Sequence, residues 1–296
     1  MFTTSPHGTQ GQARLAAEST DLPGAYGLRI EGLASAGFLQ PCAPGEWPAV
    51  RLVRRTAENP PAPTVWRMDD DRAELTFGHG EGMVIDRATS SVAFTTRAPL
   101  SDDAVAHPYL VLPAAVFGRW AGREAFHAGS FVAGGRAWGV FGHKGYGKSS
   151  TLGWLAGAGY DVLTDDLVLL DGDTVLPGPR CVDLRAEASA RLGVGAPLGV
   201  VGSRERFRLS LPPAQPTPLA GLIFLAWGAS VEVERLPAAE ALSRLFQYEA
   251  LEVGPVQTLA YLDLASLPAW ELRRPRTWDS FAAATAALLE AVAGAR

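Results

Sequence analysis

Lysine is nearly absent from this chain. Of its 26 lysines and arginines, only Lys144 and Lys148 are lysine. A guanine-specifying N/T-K-x-D segment needs a lysine, and none stands outside the stretch Gly142–Ser149, which weighs against a GTPase. Cysteine is equally sparse. Cys42 and Cys181 lie far apart with no CxxC spacing, so two reduced thiols in a cytoplasmic protein are expected rather than a disulfide framework. There is no basic excess. The net charge is −5 and the arginines are scattered through both halves, which argues against a nucleic-acid partner. Long apolar runs are missing too. Leu219–Val231 is broken by Gly221, Trp227, Gly228 and Ser230 and falls short of the about 20 residues a membrane span needs, so it reads as a buried strand. The polar stretch Met1–Pro23 carries no apolar targeting core.

The 296 residues, 47% hydrophobic, suffice for one large domain or two moderate ones. Residues 1–22 lack periodicity and read as loose. Residues 23–122 read as a smaller, mainly antiparallel β-rich unit, an accessory or docking domain. Its clearest part is a meander of runs at Thr64–Met68, Ala73–Phe77, Met83–Ile85 and Ser91–Thr95, separated by turn residues. The Asp69–Asp71 cluster is such a turn rather than a metal site. A helix capped by Asp102 or Asp103 is expected to run to about Gly122. Residues 123–296 read as an α/β layered core. Extended runs are expected at Ala125–Val132, Arg136–Phe141, Tyr160–Leu163, Leu167–Leu170 and Arg180–Leu184. Arg185–Pro218 reads as irregular, Leu219–Trp227 and Val231–Arg235 as a strand pair, and Pro237–Tyr248 and Trp278–Ala295 as helices.

Both lysines fall in Gly142-His143-Lys144-Gly145-Tyr146-Gly147-Lys148-Ser149, which fits the phosphate-loop pattern G-x-x-x-x-G-K-[ST]. The apolar run Ala137–Phe141 precedes it and a helix start at Ser149, Ser150 and Thr151 follows, giving strand, glycine loop and helix in order. Backbone N–H groups of such a loop converge on an anion, and the helix N-terminus adds its positive dipole end. An ammonium is a compact point charge that fits between phosphate oxygens, where a guanidinium is bulkier. Lys148 is thus expected on the β- and γ-phosphates of a nucleotide and the Ser149 hydroxyl on Mg²⁺. Lys144 resembles the extra lysine in the deviant phosphate loops of dimerising switch ATPases. In those loops, however, the lysine directly follows the first glycine, and here His143 stands there.

Asp165-Asp166 follows an apolar run sixteen residues downstream of Ser149, at the C-terminal end of an expected strand, where layered α/β proteins bind ligands. One carboxylate there can hold Mg²⁺ and its neighbour can take a proton from an attacking hydroxyl. His127 lies in an extended run, a place that more often holds a core histidine. Arg204, Arg206 and Arg208 alternate, as one face of a strand would, and an exposed face in an arginine-rich chain is the favoured reading over phosphoryl-charge stabilisation.

The order of His127, the loop Gly142–Ser149 with His127 fifteen residues before it, and Gly159-Tyr160-Asp161-Val162-Leu163-Thr164-Asp165-Asp166-Leu167-Val168 resembles the HPr serine kinase/phosphorylase superfamily. It is most similar to the HPr-kinase-like proteins of lasso-peptide and related peptide natural-product pathways. The resemblance covers about Phe126 to Asp183. It implies an α/β P-loop kinase core that uses ATP and Mg²⁺ to phosphorylate a Ser/Thr-type hydroxyl of a peptide or small protein. Asp165 would be the base, Asp166 a metal-side carboxylate and His127 an active-site partner, with Gly142–Ser150 holding the nucleotide. No counterpart of the long signature segment of true HPr kinases follows the Asp pair, and Lys144 and Tyr146 replace smaller residues. A nucleotide-dependent switch ATPase and a non-catalytic peptide-binding protein are the alternatives. Neither a nucleic acid nor a membrane is expected as partner, and homo-oligomerisation is left open.

Overall fold

The computed structural model describes residues 21–33, 37–58, 66–76, 81–201, 204–253 and 257–295. Strands β1 (Leu22–Ala25), β2 (Leu28–Glu31), β3 (Gln40–Cys42), β4 (Ala49–Thr56), β5 (Arg67–Met68), β6 (Arg72–Thr76), β7 (Gly82–Asp86) and β8 (Ser91–Thr96) form one sheet in the order β3-β1-β2-β4-β8-β7-β6-β5. Period-two burial builds it: Val92, Phe94 and Thr96 of β8 are buried while Ser91, Ala93 and Thr95 are only half-buried. The expected meander is found as β5 to β8, each antiparallel to the next, with Thr64, Val65 and Phe77 of its expected runs lying outside the described residues. Its turns use their own carboxylates. Asp69 Oδ1 accepts the N–H groups of Asp71 and Arg72 at 2.9 and 2.7 Å, so the Asp69–Asp71 cluster is a turn. The β2–β4 and β4–β8 joints are parallel, which makes the sheet mixed. The loose stretch expected at residues 1–22 lies, up to residue 20, outside the described residues.

The helix expected from Asp102 to Gly122 is interrupted. Ser101, not an aspartate, caps α1 (Asp102–Ala104) by accepting the Ala104 N–H at 3.2 Å. A π-type turn over Val105–Tyr109 follows, and α2 (Val111–Trp120) restarts beyond it. The cause is Pro108. It has no N–H to donate and pushes His107 into extended backbone, φ −158° and ψ 127°. The His107–Pro108 peptide is cis.

The second half is built on β9 (Glu124–Phe126), β10 (Ala128–Ala133), β11 (Arg136–Phe141), β12 (Val162–Thr164), β13 (Val168–Asp171), β14 (Thr174–Leu176), β15 (Cys181–Leu184), β16 (Ala196–Val201), β17 (Arg204–Ser210), β18 (Thr217–Trp227), β19 (Glu232–Arg235) and β20 (Ala269–Arg274). Its helices are α3 (Lys148–Gly157), α4 (Ala186–Leu192), α5 (Ala238–Gln247), α6 (Thr258–Ser266) and α7 (Phe281–Gly294). The main sheet runs β12-β10-β11-β18-β14-β13-β9, with β20 on β18 and β19 on β20. Strands β11, β18 and β20 are mutually parallel. Strand β18 shows the alternation of a sheet covered on both faces. Leu222 and Phe224 join α5 and α6 residues in one cluster, and Ile223 and Leu225 join Leu152 and Leu155 of α3 and Leu288 of α7 in the other. This is the layered α/β core expected from the sequence.

Three expectations need correction. The run Ala125–Val132 breaks at His127 into β9 and β10, which pair with different strands. Leu219–Trp227 and Val231–Arg235 do not pair with each other, because β20 lies between them. Arg185–Pro218 is not irregular: it holds α4 and the β16–β17 hairpin, which β15 extends to a three-stranded sheet. Leu167, Leu169 and Leu176 of the second half share an apolar cluster with Ile30, Phe94 and Val116 of the first. Among the described residues, no helix is long and apolar enough to cross a membrane.

Candidate active site

Parallel strands deliver the site. Phe141 ends β11, pairing with Phe224 of β18, and Trp227 at the end of β18 pairs with Arg274 at the end of β20. The phosphate loop leaves β11 at Gly142 and enters α3 at Lys148. Gly145 and Gly147, at φ +90° and +88°, take the left-handed backbone that lets the loop close on itself. Lys148 is only 7% exposed and donates from Nζ to the Gly142 carbonyl at 2.5 Å, across the mouth of the loop. Burial lowers its pKa, partly opposed by the charges of Asp166 and Asp165.

Asp165 and Asp166 follow β12, which lies beside β10. Asp165 is 1% exposed. Its Oδ1 accepts the Ser149 hydroxyl at 3.2 Å and the Asp166 N–H at 3.0 Å, while its Oδ2 has no hydrogen-bond partner among the described residues. Burial, then the charge of Asp166, pushes its carboxyl well above the usual range. Asp166 sits at φ +69° with its side chain half-buried, and one of its carboxylate oxygens lies within 4.8 Å of one from Asp165. Asp166 lines two adjoining cavities, whereas Asp165 lines neither. The larger, about 490 Å³, runs over Gly145 and Gly147–Ser150 to Trp227, Arg274 and Trp278. The smaller, about 310 Å³, lies between α2 and Tyr248–Ala250. His127, His143, Lys144 and Asp166 line both.

His127 therefore stands at the site, at the bend between β9 and β10, its N–H donating to the Tyr248 carbonyl at 2.7 Å. Burial and then the Lys148 charge lower its pKa, keeping the ring neutral at pH 7. The His143 ring lies 5.2 Å from that of Tyr248. Tyr146 does not line the cavities and packs its ring 5.7 Å from Trp227.

The arginine reading is corrected at Arg208. It is 3% exposed and grips Asp183 with two bonds of 2.7 and 2.9 Å, its guanidinium also donating to the His107 carbonyl at 2.7 Å. Arg206 adds a 3.0 Å bond to Asp183, and Arg204 and Arg206 line the larger cavity. Sequence reasoning missed His107, Asp183 and Arg274. The His107 ring is 1% exposed, 3.5 Å from Asp166 and 3.8 Å from Asp183, with neither nitrogen hydrogen-bonded among the described residues. Its atoms lie within 4.8 Å of a carboxylate oxygen each from Asp165 and Asp166, a set that could hold a metal ion. Only the oddity of a histidine before a proline within a helical pattern marked it. Tyr26, wholly buried, reaches in from the β1–β2 turn. Its hydroxyl accepts from Thr164 Oγ1 and donates to the Asp165 carbonyl, both at 3.3 Å.

The fold and site together define an α/β chain with a phosphate-binding loop facing a carboxylate pair. No protein-family model and no curated protein matches it. Among solved structures it is similar to the Hpr(Ser) kinase/phosphatase from Coxiella burnetii, at 9% identity and a TM-score of 0.29, over 56% of this chain and 95% of that one.

Proposed function

We propose that this chain is an ATP- and Mg²⁺-dependent kinase that phosphorylates a serine- or threonine-type hydroxyl of a peptide or small protein. The observation that carries the reading is the unequal exposure of the carboxylate pair. Asp165 is tied to the loop's Ser149, and Asp166 is turned to the wall shared by two cavities. The larger cavity suits the nucleotide, because the loop's glycines and the start of α3 line it. The smaller suits the acceptor, because apolar α2 residues and Tyr248 line it up to Asp166.

Lys148 balances charge on the β- and γ-phosphates. The Ser149 hydroxyl and Asp165, with its unpartnered buried Oδ2, fit as holders of Mg²⁺. When bound, the ion would neutralise charge on the phosphates. Asp166 accepts the acceptor's hydroxyl proton as that oxygen bonds to the γ-phosphorus and the bond to the β-phosphate oxygen breaks, releasing ADP. In this reading the two carboxylates exchange the roles that the resemblance implied, because Asp165 is buried and lines neither cavity while Asp166 lines both. Neutral His127 offers the acceptor hydroxyl a hydrogen bond from beside Asp166. The two unbridged thiols and the acidic net charge are in keeping with a cytoplasmic protein.

The test is mass spectrometry of hydroxyl-bearing peptides incubated with protein, ATP and Mg²⁺, with phosphate release followed in parallel. One added phosphate on a hydroxyl, lost with Asp166→Asn, is expected. Steady phosphate release with no peptide modified points instead to a nucleotide hydrolase.

A further inference from the structure

Arg274 lies at the end of β20, against the phosphate loop. A Cβ added at Gly147 would collide with its guanidinium, so that glycine gives it room. Arg274 is 4% exposed. Among the described residues it makes no ion pair with a carboxylate, and its only hydrogen bond is a long one, 3.5 Å to the Tyr146 carbonyl. The rings of Trp227 and Phe281 hold its carbon face, with centroids 4.7 and 4.8 Å from Cζ. Burial alone drags its pKa down to about 10. A buried cation with no counter-charge is destabilising unless an anion reaches it. Its companions in Arg206 and Arg208 show how this chain treats an arginine meant to be structural: both grip Asp183.

Arg274 lines the larger cavity, where seven lysines and arginines stand against three carboxylates, a balance that suits a polyanion. We propose that Arg274 is a phosphate-binding residue, its guanidinium held over the rings of Trp227 and Phe281 so that its N–H fork closes on the nucleotide's phosphate chain. The counter-charge missing from the protein is supplied by the ligand. A guanidinium fork suits this task because it engages two phosphate oxygens in one plane. The inference rests on the nucleotide reading of that cavity.

The experiment measures thermal unfolding and binding for the parent chain, Arg274→Met and Arg274→Lys. Inorganic tripolyphosphate, ATP, ADP and AMP serve as probes. Arg274→Met removes a buried unpaired charge and keeps the apolar stem, so the ligand-free melting temperature is expected to hold or rise. Affinity for ATP, ADP and tripolyphosphate should fall about tenfold or more, as for a lost charged hydrogen bond, while AMP changes little. Arg274→Lys should recover part of the loss. Parent-like binding of tripolyphosphate and ATP by Arg274→Met overturns the proposal and leaves the nucleotide site standing. If the methionine variant does not fold, parent-like binding by Arg274→Lys serves as the overturning result, since an ammonium cannot fork. Arg274-dependent binding of tripolyphosphate with no ATP binding sinks the nucleotide reading and keeps the anion subsite. A parent that binds neither overturns both.

Discussion

Asp165 and Asp166 share a peptide bond and have opposite surroundings. One is buried with Ser149 on it, and the other, at φ +69°, faces the cavities. Asp166→Asn is expected to lower phosphoryl transfer by about two to four decades with ATP affinity nearly unchanged. Asp165→Asn should instead raise the Mg²⁺ concentration needed for half-maximal rate. Steady-state kinetics with a Mg²⁺ titration separates the two, and parental turnover in Asp166→Asn would make His127 the next candidate base. Lys148→Ala should weaken ATP binding by about 1.5–3 kcal/mol, the range for a hydrogen bond to a charged group, with the far-UV circular dichroism preserved; calorimetry checks it. These residues were legible because a phosphate loop is a local pattern. The unequal exposure of the two aspartates, on which their proposed roles rest, was not, since it depends on how the fold buries one of them. Arg274 was not either, because nothing in Glu271-Leu272-Arg273-Arg274 sets one arginine apart until the fold carries it to Gly147.

Among elements, the β15–β17 pair is fastened to the π-type turn through Asp183, Arg208 and the His107 carbonyl. Burial pushes the Asp183 carboxyl up, but the Arg208 bonds and the charges of His107, Arg208 and Arg206 outweigh it and hold its pKa below the ordinary 3.8. The folded chain thus takes up this proton less readily than the unfolded chain. The contribution to stability is complete above pH 3.8 and is lost as pH falls through the folded value. Asp183→Asn leaves Arg208 buried against a neutral amide and should cost about 3–5 kcal/mol at neutral pH. Its stability should also depend less on pH below about 4 than that of the parent. Denaturant unfolding across that range is the measurement, and an equal acid dependence in both chains would remove Asp183 from this role. Strands with clean alternation or apolar runs, such as β8, β11 and β18, were readable from sequence. Strands β16 and β20 were not. Gly195, Pro197 and Gly199 mask the first, and the charges of Glu271, Arg273 and Arg274 mask the second, although β20 is fixed between β18 and β19.

At the scale of the molecule, the sequence separates a β-rich first part from an α/β second part but does not reveal how much surface they share. Leu167 and Leu169 are fully buried and Leu176 nearly so, in a cluster with residues of the N-terminal sheet. A chain beginning at Arg123 would expose all three. It is expected to be poorly soluble or to bind a hydrophobic dye, and not to fold as a working core. Soluble expression and a cooperative melt of that fragment would show instead that the second part stands alone.

The Tyr26 hydroxyl meets Thr164 and Asp165 across 138 and 139 positions of chain. Tyr26 is among the first described residues to leave a ribosome, and it waits for more than a hundred further residues to be synthesised before its partners exist. Closing so long a loop is slow compared with forming the β5–β8 hairpins. The backbone around the aspartate pair therefore takes its final shape late, and ability to bind nucleotide should lag behind the appearance of secondary structure during refolding. The chain would spend its youth as a folded scaffold whose chemistry has not yet been switched on.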